Sequence, residues 1–185
     1  MSRRVVCERF MSMSAAPPAT PAGLEPVLKA ERPEDQPLIE SLIERAFGPG
    51  RFVKTAERLR ETNTPRHDLS LVAWAEGAAV GCVRLWPIHI GDSPAVLLGP
   101  FAVEDAWRSR GLGALLIESA CAAAERTGAG LILLVGDAPY FQKLGFEPVP
   151  PGRAVLPGPV DAHRILWREL QPGASDGVQG AVRAG

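Results

Sequence analysis

The succession of elements between Ala95 and Val135 constrains this chain more than any other feature. Ala95-Val96-Leu97-Leu98-Gly99-Pro100-Phe101-Ala102-Val103 reads as an apolar strand, followed by a short acidic loop and Arg108-Ser109-Arg110-Gly111-Leu112-Gly113. Ala114, Leu115, Leu116, Ile117, Ser119, Ala120 and Cys121 then give a buried helix ending at Thr127-Gly128, and Leu131 to Val135 is a fully apolar strand. Strand, glycine-containing loop, helix and strand make a βαβ unit, with a right-handed crossover and parallel pairing expected. Pro100 cannot donate to a ladder, so Gly99-Pro100 within this strand implies a bulge or an unpaired stretch. A strand that splays midway leaves main-chain groups free for a ligand.

Around this unit, Pro33-Glu34-Asp35 opens a helix with Pro in the first turn and acids at the positive end of the dipole. Leu38/Ile39, Leu42/Ile43 and Ala46/Phe47 recur at helical spacing until Gly48-Pro49-Gly50. Phe52 to Leu59 reads as a weaker second helix, Leu69 to Trp74 as a strand, Glu76-Gly77 as a hairpin turn and Val80 to Ile90 as the returning strand. Gly136-Asp137-Ala138-Pro139 caps a short helix from Tyr140 to Leu144, closed by Gly145, and Phe146–Val149 and Arg164–Leu170 are two final strands. Residues 27–170 are enough for one domain with a sheet, helices on both faces and a sizeable core. Residues 1–26 are expected to be a disordered N-terminal extension, with Met11 and Met13 as alternative translation starts, and 171–185 a flexible C-terminal tail.

Composition excludes several classes of function. Lys+Arg number 20 against Asp+Glu 21, so no global positive field exists to attract nucleic acid or an anionic membrane. No apolar run approaches the roughly 20 residues needed to span a bilayer. The three cysteines, 7, 82 and 121, form no CxxC pair, so neither a disulfide framework nor a metal site is indicated, and a cytoplasmic location is expected. Cys82 and Cys121 read as buried small hydrophobes.

The loop before the long helix is an anion site. Bare amides at a helix N-terminus point outward, Gly111 and Gly113 remove Cβ obstruction, and Arg108 and Arg110 add charge-assisted bonds to a diphosphate. A nucleotide P-loop needs Gly-Lys-Ser/Thr, which is absent, and a dinucleotide fingerprint would place Gly where Leu116 stands.

Three blocks carry a resemblance. Leu98-Gly99-Pro100-Phe101-Ala102-Val103, then Arg108-x-x-Gly111-x-Gly113, then Gly136-Asp137-Ala138-Pro139-Tyr140-Phe141-Gln142-Lys143-Leu144-Gly145-Phe146 resemble, in order and spacing, the GNAT superfamily of N-acetyltransferases. Asp68 to Ala73 and Leu156-Pro157-Gly158-Pro159 resemble a small bacterial subgroup of it. The resemblance implies an α/β three-layer fold: a mixed twisted sheet of about six to seven strands, helices on both faces, and fourth and fifth strands splayed around acetyl-CoA. Carried over by position, the amides of Arg110, Gly111, Leu112, Gly113 and Ala114 cradle the pyrophosphate beside Arg108 and Ser109. Phe101, Ala102 and Val103 supply the pantetheine wall. The implied reaction is acetyl transfer from acetyl-CoA to a primary amine of a small molecule or protein, with no metal, and with homodimer formation left open. The alternative is an acyl-CoA-binding sensor or scaffold module.

Amine acetylation needs a neutral amine, an amide donor for the developing oxyanion and an acid for the thiolate. His89 is the candidate base, ahead of His67 and His163, because a near-neutral pKa suits proton removal. Glu104 and Asp105 read as solvated loop acids. The superfamily's acid is usually a tyrosine four residues before the Gly-Phe pair, where this chain has Phe141; Tyr140, the one tyrosine, stands one residue earlier and is the candidate acid. On a helix that offset is a rotation of about 100°. Arg84, Trp86, Arg51 and Trp167 are expected to line an acceptor pocket.

Overall fold

A computed structural model describes residues 25–48 and 55–185. The strands are β1 (Val27–Ala30), β2 (Leu71–Ala75), β3 (Ala78–Ile90), β4 (Ser93–Val103), β5 (Leu131–Val135), β6 (Glu147–Pro148), β7 (Ala154–Val155), β8 (Ile165–Glu169) and β9 (Gly180–Ala184). The helices are α1 (Gln36–Phe47), α2 (Leu112–Arg126) and the single turn α3 (Ala138–Phe141). The central path runs β1-β2-β3-β4-β5-β8-β6, with β9 pairing both β3 and β7. Every neighbouring pair on the central path is antiparallel except β4–β5, the parallel pair that the βαβ pattern demands.

Alternation along the strands sorts the two helical layers. Val72, Cys82 and Ala102, in register across β2, β3 and β4, face Ile39, Leu42 and Ile43 of α1. Their neighbours Ala73, Val83 and Val103 face Leu116, Ile117 and Ala120 of α2 on the other side. Burying such side chains on both faces contributes about 1.5–3 kcal/mol per large aliphatic residue. The Glu76-Gly77 hairpin has both residues at positive φ, 50° and 80°, the twist that matches two antiparallel strands.

The interruption expected at Gly99-Pro100 is a bulge. Val83 pairs with Phe101 but Leu85 pairs with Leu98, so Gly99 and Pro100 together oppose the single residue Arg84. Gly99 lies at φ 130° before a cis peptide, and its carbonyl accepts a 2.6 Å hydrogen bond from Nε1 of the buried Trp86.

Several expectations are corrected. The stretch 171–185 is no flexible tail: β9 pairs Val182, Arg183 and Ala184 with Ile90, His89 and Ile88. The reason is that β2 stops at Leu71 opposite Val83, leaving the rest of that β3 edge unpaired, while Val178 and Val182 are buried against Trp86, Ile88 and Ile90. Of the helix expected over Phe52–Leu59, the described part is a 3-10 helix, Thr55–Leu59; its start lies outside the described residues. The N-terminal extension is also outside them up to residue 24, and β1, at four residues too short to show a period, begins at Val27.

Arg84 is no pocket residue. It is 4% exposed, with Nη2 on Glu31 at 2.7 Å and Nη1 on Glu40 of α1 at 3.0 Å. Trp86 and Trp167 belong to the apolar core, and Arg51 lies outside the described residues.

Candidate active site

β4 and β5 pair only at Val96–Ile132 and Leu97–Leu133, and beyond that point they diverge. The bulge bends β4 away while β5 runs straight on, held by β8 as far as Val135–Ile165. Two recesses meet in the gap, sharing Phe47, Phe101 and Tyr140 as a common wall.

The first recess, about 500 Å³, runs from Phe101, Ala102 and Val103 to Arg108, Ser109, Gly111, Gly113 and Ala114. Eight of the ten residues expected at a cofactor site are therefore brought together. Leu112 points into the core, 3% exposed, and the Arg110 guanidinium lies over the Trp107 ring at 6.0 Å. Ser109 (φ 59°) and Gly111 (φ 82°) turn the chain sharply into α2, whose start carries no side-chain cap. The first intrahelical acceptor is Gly111, taken by Leu115, so the amides of Leu112, Gly113 and Ala114 have no helical partner. Their dipole is worth about 0.3–1 kcal/mol to an anion. Arg108 pairs with Asp105 at 2.9 Å, and Glu104 pairs with Arg45 of α1, so both loop acids are committed to arginines.

Backbone groups on a strand alternate sides. The Glu104 amide donates to Val80 on β3 at 2.9 Å, so the polar groups of Val103 and Phe101 face the gap instead. There the Val103 carbonyl accepts Nε of Arg108 at 3.3 Å. An extended ligand lying in the gap would find free main-chain donors and acceptors along β4. It would also pass Gly113, where an added Cβ would stand 2.6 Å from the Tyr140 hydroxyl and 3.0 Å from Phe101. The bare α2 amides, the Cβ-free glycine and the open strand edge thus fit a diphosphate joined to an extended polar arm.

The second recess, about 450 Å³, lies beyond the bulge. Leu98 to Phe101 and Leu134 to Gly136 form its floor, with walls from Ile43 and Phe47 of α1, from Thr55, Ala56 and Glu57 of the 3-10 helix and Arg60 just after it, and from Pro159 to Asp161. Sequence reasoning missed this upper wall. The Glu57/Arg60 spacing of one 3-10 turn and the Pro-Gly-Pro block were the available signals.

The 100° offset decides between the two aromatic residues of α3. Phe141 is 9% exposed and packs edge-on to Phe146, with ring centroids 5.8 Å apart. Tyr140 is 38% exposed and carries its hydroxyl to the junction of the two recesses. Burial pushes its phenol above the ordinary value near 10. His89 is not brought here: it sits at the far end of β3 between Pro94 and Arg183 and lines neither recess. His67 has Nδ1 3.3 Å from Glu31, and His163 is exposed behind Asp161. Burial pushes the thiols of Cys82 and Cys121 up to about 12, which removes both as nucleophiles. Among the described residues no acid, histidine and cysteine group is able to hold a metal, and no helix is long and apolar enough to cross a membrane.

This geometry has counterparts. Residues 66–148 match the model of the acetyltransferase (GNAT) domain. The Escherichia coli K12 protein described as uncharacterized N-acetyltransferase YhbS is 29% identical over 161 residues, covering 84% of this chain and 94% of the relative. A second from the same organism, described as uncharacterized N-acetyltransferase YjhQ, is 30% identical over 135 residues, covering 70% of this chain and 75% of the relative. The crystal structure of Escherichia coli YhbS in complex with CoA superposes with a TM-score of 0.74 at 25% identity, over 90% of this chain and 93% of that one. A Brucella melitensis GNAT acetyltransferase in complex with acetyl-CoA gives 0.64 at 26% identity, over 87% and 96%. With the splayed strands, the uncapped glycine-rich helix start and these relatives in agreement, the chain belongs to the GNAT family of acetyltransferases.

Proposed function

We propose that this protein transfers the acetyl group of acetyl-CoA to a primary amine, in the reducing setting that its free buried cysteines fit. The observation that carries the reading is the meeting of two recesses at Tyr140 and Phe101, one shaped for a diphosphate and an extended arm, the other open to a second molecule. Acetyl-CoA supplies a thioester, an acyl group already activated toward amines. The residues of this chain do the rest. The amides of Gly111 to Ala114 and the Arg108 guanidinium hold the anionic end. The gap-facing backbone of Val103 and Phe101 aligns the arm, and the Phe101 amide is the donor available to a carbonyl oxygen at the bulge. A phenol carries its proton at neutral pH and burial pushes Tyr140 further that way, so its hydroxyl is available as a proton donor for a departing sulfur.

An alkyl ammonium with pKa near 10.4 is neutral in only about one molecule in 10³ at pH 7, equivalent to roughly 4–5 kcal/mol, so the acceptor side must also handle a proton. Thiolate is a good leaving group, with a thiol pKa near 8.5, which limits what the phenol contributes. Tyr140→Phe is therefore expected to slow thiol release about tenfold while acetyl-CoA affinity, read by calorimetry, stays unchanged. An unchanged rate removes Tyr140 from the mechanism. Binding of acetyl-CoA with no thiol release on any amine would favour an acyl-CoA-binding module, and no binding at all would defeat both readings.

A further inference from the structure

The wall of the second recess carries a carboxylate that the family resemblance did not point to. Glu57 and Arg60, one turn apart in the 3-10 helix Thr55–Leu59 and the residue after it, form a 3.0 Å ion pair, with side chains only 16% and 13% exposed. Nη2 of Arg60 stands 3.1 Å from the point that a Cβ on Gly99 would occupy, so the pair is pressed against β4 at its bulge. The arginine engages Oε2 of Glu57, and among the described residues Oε1 has no hydrogen-bond donor. The other acids on this wall are differently placed: Asp161 accepts the His163 amide at 3.0 Å, and Asp137 is exposed ahead of α3. The surroundings are apolar, from Ile43, Phe47, Leu98, Pro100, Pro159 and Val160.

The geometry points to Glu57 as the group that receives the acceptor, and to the acceptor as a small primary monoamine with an apolar body. This assignment rests on the acetyl-transfer reading and names its substrate class. The ammonium donates to Oε1 while Arg60 holds Oε2, and the apolar body fills a recess of about 450 Å³, within the usual range for a small-molecule site. Arg60 is a positioning residue: its charge is committed to Glu57. Arg164 is tethered to the Gly136 carbonyl through Nε at 3.3 Å. Among the described residues the cation at the bulge is Arg60, already paired with Glu57, so a carboxylate on the ligand meets no unpaired cation there.

The step balances without a further reactant. A C–N bond forms and a C–S bond breaks; the nitrogen arrives as an ammonium with three protons and ends as an amide with one. Of the two protons lost, one ends on the departing sulfur and one passes through the Glu57 carboxylate to solvent.

The test is calorimetric, on the full chain saturated with CoA so that no turnover occurs. The probes are 2-phenylethylamine and hexylamine, their alcohols 2-phenylethanol and hexanol, phenylalanine, and a short lysine-containing peptide. At least one monoamine is expected to bind ten times or more tighter than its alcohol, the weight of one charge-assisted hydrogen bond, and tighter than phenylalanine or the peptide. Glu57→Gln is expected to abolish the preference for amine over alcohol, and Glu57→Asp to keep part of it, with CoA affinity unchanged in both as the check on folding. Equal binding of alcohol and amine, stronger binding of the amino acid or the peptide, failure of every monoamine to bind, or an undiminished preference in Glu57→Gln overturns the assignment. If thiol is still released on some amine in that case, the transferase reading survives and only the role of Glu57 falls.

Discussion

Replacing Gly113 by alanine should separate the stability of the fold from the use of its groove. Gly113 sits in the first turn of α2 at an ordinary negative φ, so alanine there removes the entropic penalty of a helical glycine, up to about 1 kcal/mol. In a domain of this size that is worth roughly 2–4 °C of melting temperature. The new methyl would stand 2.6 Å from the Tyr140 hydroxyl and 3.0 Å from Cζ of Phe101. Both are the far ends of side chains, and Tyr140 is 38% exposed, so the phenol has room to swing away and the clash costs the fold little. It costs the site more. The methyl projects into the first recess at the point where the bound arm passes, and the displaced hydroxyl leaves the junction. Two measurements on one sample decide it: a melt without ligand, and a CoA titration or the CoA-dependent rise in melting temperature. The expected result is an unchanged or higher melting temperature, CoA affinity reduced tenfold or more, and slower thiol release. A melting temperature lowered by more than about 4 °C would mean that Tyr140 and Phe101 are fixed parts of the core. Undiminished CoA affinity would mean that the ligand does not pass Gly113.

Gly136→Ala should behave in the opposite way: its Cβ would overlap the ring of Phe141, which is 9% exposed and cannot swing into solvent. A loss of about 1–3 kcal/mol is expected in thermal or urea unfolding, and equal stability would show that the ring has space to move. Deleting residues 179–185 removes β9, uncovers the β3 edge at Ile88–Ile90 and loses the buried Val182. A lower melting temperature with increased light scattering is expected, and an unaltered melt would refute a structural role for the segment.

The parts of this molecule legible in the sequence are those where a local rule has few alternatives. Apolar runs flanking a glycine-containing loop and a helix admit one crossover, so β4, α2 and β5 fall where periodicity puts them. Pro100 lacks an amide proton, so the break in pairing could be located to a residue. What escaped was decided by distant partners. The sequence of β9 is too short and glycine-rich to declare itself, and it is a strand only because β2 ends early and leaves β3 an edge to cover. Arg84 looked like a ligand-binding cation until Glu31 and Glu40, far off in sequence, enclosed it. His89 has suitable chemistry in the wrong place, since a pKa argument carries no information about distance. Glu57 was overlooked because an acid in a weak helix resembles many others until the recess is seen around it.

The bulge at Gly99-Pro100 also acts as a switch of parity. Upstream of it, Ala95 and Leu97 lie with Trp86 on one face of the sheet, and Val96 and Leu98 lie with α2 on the other. Simple alternation would carry Phe101 and Val103 to the first face and Ala102 to the second. With two residues opposing Arg84 the order is exchanged: Ala102 packs beneath α1, while Val103 and Phe101 turn toward α2. Length in this strand is consequently less negotiable than identity. Losing a single residue between Leu98 and Phe101 would leave one residue opposite Arg84 and keep Phe101, Ala102 and Val103 on their present faces, but it would abolish the bulge and with it the bend that parts β4 from β5. Side chains along this strand are free to drift within their size classes, whereas a deletion here would leave both layers in place and take away the opening between them.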